Sequence, residues 1–363
     1  MTREKSLKPN RRDTLKAGAA GVISAAVSTP SLSAKMQQRA PAADAFANPA
    51  DDCRPWVYWY FMDGNLSSRG MAADLDAMKK AGIGGAIFLE VGLGLKTGPV
   101  TFMGKAWKAL IEQAFAYADA LGIEIALAAG PGWCGTGGPW VKPEDSMQVL
   151  VSSETRVSEG SRQTIKLPQP KPRPPFFGVE TLTPLLKKQW EDFYVDAHVL
   201  AFPTPSGTTR IEDIDEKALF TRGAYTSAVL GPYTKRPWVR PFLPSAATYP
   251  AVPEGHAVRS ADVIDLTDKL SPDGTISWDV PEGDWTIMRF GRTLTGQTTR
   301  PAPEAGLGFE TDKFSRPALD KHLDAFVEKI LKELPRRKRE GRGLTTLHFD
   351  SWEMGSQNAS ALF

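Results

Sequence analysis

Between Pro55 and Ala128 apolar runs alternate with amphipathic stretches over short connections. No other feature of the 363 residues restricts the fold as much. Pro55-Trp56-Val57-Tyr58-Trp59-Tyr60-Phe61-Met62 is aromatic and continuous, as a buried strand should be. Asp63-Gly64-Asn65 marks a turn, and Ser67 can cap a helix whose apolar face is Met71, Leu75 and Met78. Gly82 ends that helix. A second strand, Ile83 to Glu90, finishes on a carboxylate. A second helix runs from about Lys105 to Leu121, with Trp107, Leu110, Ile111, Ala114, Phe115 and Ala118 on one face. Gly122 stops it, and Ile123 to Ala128 is a third strand. Strand–helix–strand–helix–strand with short links predicts a parallel sheet, and barrel and open-sheet versions both fit locally. In either version chemistry gathers at the C-terminal ends of the strands. Asp63, Asn65, Glu90, Trp133 and Trp140 all fall there and are candidate substrate-binding residues.

The Gly-rich piece from Gly130 to Trp140 has no Gly-Lys-Ser/Thr ending, and two indoles stand where a phosphate would need close backbone approach. It suits a sugar-facing loop or a purely structural one better than a nucleotide site. From about residue 150 the pattern changes. Val149 to Thr155 and Tyr194 to Phe202 read as strands, with a proline-rich stretch from Leu167 to Pro175 between them. Pro272 to Val280 and Pro281 to Phe290 read as the two arms of a hairpin. Residues 150–310 are therefore expected to form a β-rich insertion. A helix from Ser315 to Leu334 follows, with Leu319, Leu323, Phe326, Ile330 and Leu331 on one face. Leu344 to Asp350 then returns as a fourth strand and leads into Glu353.

Composition narrows the function. There are 44 basic and 42 acidic residues, a balance that argues against nucleic-acid binding. The run Pro335 to Arg339 reads as a solvated helix end. Ten Trp, many beside Gly, Pro or acidic residues, suit flat faces for sugar stacking, although any single Trp is more often packing. Two cysteines, Cys53 and Cys134, give no zinc spacing, and a single disulfide between them is open after export.

Residues 1–34 read as a targeting segment. Arg11-Arg12-Asp13-Thr14-Leu15-Lys16 precedes a weak Ala/Gly-rich apolar stretch, resembling a twin-arginine signal rather than a membrane span. This predicts a periplasmic or secreted bacterial protein with no membrane span after signal removal. Residues 35–52 look like a flexible lead-in.

Asp350 and Glu353 carry the chemistry. Glycoside hydrolysis needs a proton donor at the leaving oxygen and a second carboxylate. A Glu beside another carboxylate and an indole, here Trp352, gains the raised pKa of a general acid. Asp and Glu at strand ends also cap or pair with arginine, so spacing leaves both readings open.

Several blocks resemble the α-L-rhamnosidases of glycoside hydrolase family 106. They are Arg54 to Trp59 through Asn65, Ala81 to Gly85, Gly132-Trp133 with Gly137 to Trp140, and Asp350-Ser351-Trp352-Glu353-Met354-Gly355-Ser356-Gln357-Asn358. Trp278 to Pro281, Gly283 to Thr286 and Pro301 to Glu304 match as well. The resemblance implies inverting, calcium-assisted hydrolysis of terminal α-L-rhamnose from an oligo- or polysaccharide on a (β/α)8 TIM-type barrel with β-rich additions. It implies Glu353 as catalytic acid and Asp350 as a supporting catalytic carboxylate, with Trp352, Gln357 and Asn358 beside the sugar. It assigns no calcium ligands.

The expected fold is thus α/β: a partial barrel of about four βα strands interrupted by a β-rich domain. Residues 53–149 are the first half-barrel units, 150–310 the insertion, and 311–363 the helix and fourth strand. No residue matches the family's general base, which lies on a later strand. The chain alone is therefore expected not to turn over rhamnosides. A second polypeptide completing the barrel, a premature stop and a reading-frame error each account for that. A non-catalytic carbohydrate-binding protein, a decayed remnant, and specificity for fucose or galacturonic acid stay open. Replacing Arg11 and Arg12 by Lys is expected to hold the protein in the cytoplasm; unchanged export in a fractionation assay removes the twin-arginine reading.

Overall fold

The computed structural model describes residues 42–158, 160–207, 252–334, 343–350, 355 and 357–361. The leader (1–34), the basic run 335–339, Trp352 and Glu353 lie outside the described residues. The chain divides into two compact units, Met1–Ala50 and Asp51–Phe363. In the first, Ala42–Ala47 forms a short helix, α1, inside the stretch expected to be flexible throughout.

The second unit is mixed α/β with several sheets. Strands β1 (Trp56–Met62), β2 (Gly85–Val91), β3 (Glu124–Ala128) and β10 (Gly343–His348) form one parallel sheet in the order β1-β2-β3-β10. Helix α2 (Ser68–Lys80) joins β1 to β2, and α3 (Lys105–Leu121) joins β2 to β3. The caps are those the sequence signals. The Ser67 hydroxyl accepts from the Gly70 amide, and Gly122 adopts φ 74° at the end of α3.

Trp59, Leu75, Phe88, Trp107, Ile111, Phe115, Ile125, Leu127, Phe326 and Ile330 share one core, so the helices cover a single face of the sheet. The opposite face carries Tyr58 and Tyr60, which are 51% and 39% exposed. That face is concave. Tyr58 on β1 meets His348 on β10 with ring centroids 6.2 Å apart, across two intervening strands. In a flat sheet the two outer strands would stand about 14 Å apart.

The remaining strands build an antiparallel layer. β4 (Gln148–Ser158), β9 (Asp284–Leu294), β6 (Val195–Pro203) and β7 (Ile264–Asp265) form one sheet. Among the described residues β5 (Arg162–Lys166) pairs only with β8 (Thr275–Asp279). The two sheets share a core of Ile165, Val199, Ala201, Ile276, Trp278, Trp285 and Ile287. The expected hairpin is therefore absent: β8 and β9 pair with β5 and β4 in different sheets. Pro281-Glu282-Gly283 makes a corner, and Trp278 packs edge-on against Trp285 across it at 5.4 Å. Alternation identified both strands but not their partners. Helix α4 (Pro184–Asp192), capped by Thr183, was not anticipated. The single helix expected from Ser315 to Leu334 is two, α5 (Arg316–Ala325) and α6 (Val327–Glu333), broken at Phe326 with φ −115° and ψ −69°. Phe326 is thereby turned into the core, while Leu331 stays 46% exposed. Both cysteines are free: Cys53 is exposed and Cys134 buried, so the disulfide option is not realised.

The segment Gly308–Lys313 ties both layers together. The Gly138 amide donates to the Phe309 carbonyl, the Met147 amide to Glu310, the Asp312 amide to Asp145 and the Glu310 amide to Gln297. Gly308 makes this approach feasible, since a Cβ there would lie 2.1 Å from the Gly138 backbone. Gly308→Ala is expected to push the strap off the loop and to destabilise the fold by about 1–3 kcal/mol. Urea unfolding indistinguishable from the wild type would show that the strap is not under this constraint.

Candidate functional site

The C-terminal ends of the parallel strands meet the loop that follows β3. The Ala129 amide donates to the His348 carbonyl, and the Gly132 amide to the Glu90 carbonyl. Asp350 stands two residues past β10 with its side chain 23% exposed. Its Oδ2 lies 3.4 Å from His348 Nε2. The loop reaches the same point, since a Cβ on Gly135 would be 3.5 Å from the Asp350 carbonyl oxygen. Trp133 is half-buried on that loop. Asp350 and Trp133 are thus brought to one end of the sheet.

The other candidates serve the framework. Asp63, in a left-handed conformation (φ 50°), accepts from the Leu93 and Leu95 amides through Oδ2. The Asn65 amide group donates to the Met62 and Lys96 carbonyls. Both residues fasten the loop after β2. Trp140 packs flat against Phe326 at 5.5 Å, and its indole donates to His322 Nδ1. It is a core residue rather than an open sugar platform. Gln357 accepts from the Lys313 amide and donates to the Asp312 carboxylate and the Ala359 carbonyl. Asn358 Oδ1 accepts from the Leu150 amide. These two dock the segment after Glu353 onto β4 and the strap.

Glu90 is 3% exposed and points to the helix side of the sheet, where the Trp107 indole donates to its Oε2 at 2.5 Å. Oε1 has no hydrogen bond of good geometry, although the Gly64 amide favours its charged form. Burial pushes the carboxyl up to about 7 against both donors, and the nearby Asp63 adds to the rise.

Sequence reading missed His322, which is 1% exposed on α5. Its Nδ1 accepts from the Gly137 amide and the Trp140 indole, and Nε2 donates to the Ala129 carbonyl. Three bonds of this sense require the neutral Nε2–H tautomer. Burial pushes its pKa down to about 4. The available signal was position: His322 stands four residues after buried Ala318 and four before Phe326, on one helical face. Lys313 was missed as well. Its ammonium joins Thr136 on the loop to the Glu310 carboxylate on the strap.

Several comparisons with known proteins bear on this geometry. The model of glycoside hydrolase family 106, described as alpha-L-rhamnosidase, matches residues 47–361. The chain belongs to glycoside hydrolase family 106. A Formosa agariphila protein named "Putative beta-glucuronidase" is 33% identical over 318 residues, covering 88% of this chain and 24% of its own length. A solved rhamnosidase from Novosphingobium sp. PP1Y superposes with a TM-score of 0.67 at 24% identity, over 87% of this chain and 40% of that one. The chain therefore spans less than half of either relative. Family 106 membership makes it a glycosidase-family protein. No helix among the described residues is long and apolar enough to cross a membrane.

Among the described residues no three His, Cys, Asp or Glu side chains converge as a metal-binding group. Asp63 and Glu90 are engaged as above.

His322 and Glu90 titrate in opposite senses. Folding depresses the His322 pKa from 6.5 to about 4, so its stabilisation is full above pH 6.5 and is lost as pH falls towards 4. Folding raises the Glu90 pKa from 4.5 to about 7, so its effect is most favourable below pH 4.5 and is lost as pH rises towards 7. Each amounts to about 3 kcal/mol. Glu90→Gln is expected to leave stability rising from pH 4 to 6.5, and His322→Gln to leave it falling from pH 4.5 to 7. Urea unfolding across pH 4–8 checks this; parallel profiles for the two variants would sink it.

Proposed function

We propose that this chain carries the proton-donating half of an α-L-rhamnosidase-type glycosidase site, with Glu353 as the general acid and Asp350 as its supporting carboxylate. The observation that carries the proposal is the placement of Asp350 at the end of β10, against the loop that presents Trp133. This lies inside a stretch matched by the family model from residue 47 to 361. In the inverting reaction Glu353 gives its proton to the glycosidic oxygen as the bond from the anomeric carbon to that oxygen breaks. A water adds to the opposite face of the anomeric carbon and loses its proton to a base. Terminal α-L-rhamnose is the substrate under this reading.

The parallel sheet supports a barrel segment. Its strands follow sequence order, its helices lie on one face, and the other face is concave. A doubly wound sheet reverses its order and takes helices on both faces. Residues 53–149 and 311–363 then supply βα units of a (β/α)8 barrel, with 150–310 as the β-rich insertion. The twin arginines at 11 and 12 support export to the periplasm or beyond.

A second reading is a β-glucuronide, favoured by the name of the Formosa agariphila relative. Calorimetry with L-rhamnose and methyl β-D-glucuronide separates the two. L-Rhamnose is expected to bind, and Glu353→Gln to leave that binding intact. Cleavage of an aryl α-L-rhamnoside is followed alongside. Should turnover occur, Glu353→Gln is expected to lower it about 10²–10⁴-fold. Failure to bind L-rhamnose alongside clear binding of the glucuronide moves the assignment to the second reading.

A further inference from the structure

Arg300, like Arg292 beside Gln148, has no carboxylate on its guanidinium among the described residues, unlike two other cations of this region. Arg289 holds Asp196 through two bonds of 2.7 and 2.9 Å, and Lys313 holds Glu310. Arg300 makes one side-chain hydrogen bond, from Nη2 to the Thr181 carbonyl at 3.2 Å, and its guanidinium lies 5.4 Å from the centre of the Phe177 ring. Among the described residues no carboxylate pairs with it, although the group is half-buried. A guanidinium has five N–H donors, so most of this fork stays available.

The fork also has a fixed address. The Arg300 amide donates to Cys134 Sγ at 2.9 Å, and Sγ donates back to the Arg300 carbonyl at 3.0 Å. Cys134 follows Trp133 on the loop beside Asp350. On its other side Phe177 meets Phe176 edge to face at 4.9 Å. The Phe176 Cβ would lie 3.3 Å from a Cβ on Gly355, two residues past Glu353. Arg300, Phe177 and Phe176 thus form a strip running from the Trp133 loop to Gly355. An aromatic face suits the C–H side of a pyranose ring, and an adjacent guanidinium fork suits a planar or tetrahedral oxyanion.

We propose that Arg300 and Phe177 form a subsite for an anionic sugar, a uronate or a sulfated residue, between the Trp133 loop and Gly355. The subsite rests on the glycosidase reading above and narrows the substrate to an acidic glycan. It predicts discrimination by charge between sugars of the same ring shape.

The test is calorimetry on the full chain with methyl β-D-glucuronide, methyl β-D-glucoside, glucose 6-sulfate and L-rhamnose. The expected result is at least tenfold tighter binding of the glucuronide or the sulfate than of the neutral glucoside, and whichever anion binds tighter identifies the natural group. Arg300→Gln should abolish that preference and leave L-rhamnose affinity unchanged, while Arg300→Lys should keep part of it. Equal affinity for charged and neutral sugars on the unmodified chain overturns the proposal without any variant. A preference that survives in folded Arg300→Gln overturns it too. Loss of L-rhamnose binding alone, with the Arg300-dependent preference intact, removes the rhamnose reading and leaves the subsite standing.

Discussion

The buried carboxylate of Asp312 is the point on which the rest of the unit hangs. It receives the Gln357 amide group, the Ser360 hydroxyl and the Phe314 backbone amide. Those donors come from the segment after Glu353 and from the residue that follows the strap. The strap in turn holds the loop after β3, the start of β4 and Gln297. Asp312, Glu310, Thr311, Gln357 and Ser360 are each 2% exposed or less. Charges buried this deeply are costly unless satisfied, and once satisfied they admit one geometry and few others. Two sheets of different topology are therefore fixed against each other by polar bonds, where an apolar interface would tolerate sliding.

That arrangement explains how the site is built. Its loop has no regular structure of its own; besides its backbone bonds to His348, Glu90 and Phe309, three further anchors hold it. His322 holds it from α5, Lys313 from the strap, and Arg300 through Cys134. All three anchors fall within residues 300–322, so one stretch of chain distant in sequence shapes the loop. That convergence holds the loop that carries Trp133 where Gly135 approaches Asp350.

The parallel half of the fold was legible because its signals are local. Ser67, Gly82 and Gly122 mark helix ends, and the apolar faces of α2 and α3 repeat at helical spacing. The antiparallel half was legible only as strands. Nothing in Thr275–Asp279 or Asp284–Leu294 says that their partners lie more than a hundred residues earlier, in β5 and β4. The site was legible in its motif and obscure in its roles. Asp63, Asn65, Gln357 and Asn358 are polar residues at strand ends, as sugar contacts would be, yet each satisfies backbone or strap groups. Sequence position cannot distinguish a side chain that meets a ligand from one that meets its own loop. Glu90 shows the same limit differently, because strand parity turns it towards Trp107 and away from the concave face.

Cys134 has a consequence beyond geometry. Its sulfur both gives and receives a hydrogen bond on the Arg300 backbone, and burial holds the thiol well above its usual pKa. The oxidisable form of cysteine is the thiolate, and access matters as much as charge. Here the thiolate is suppressed and the sulfur is sealed, while Cys53 lies in the open. Peroxide or a stray disulfide should therefore mark Cys53 and spare Cys134. The fold thus keeps a free thiol as a spacer of fixed size between two chain segments, at the one place where its reactivity would do most harm.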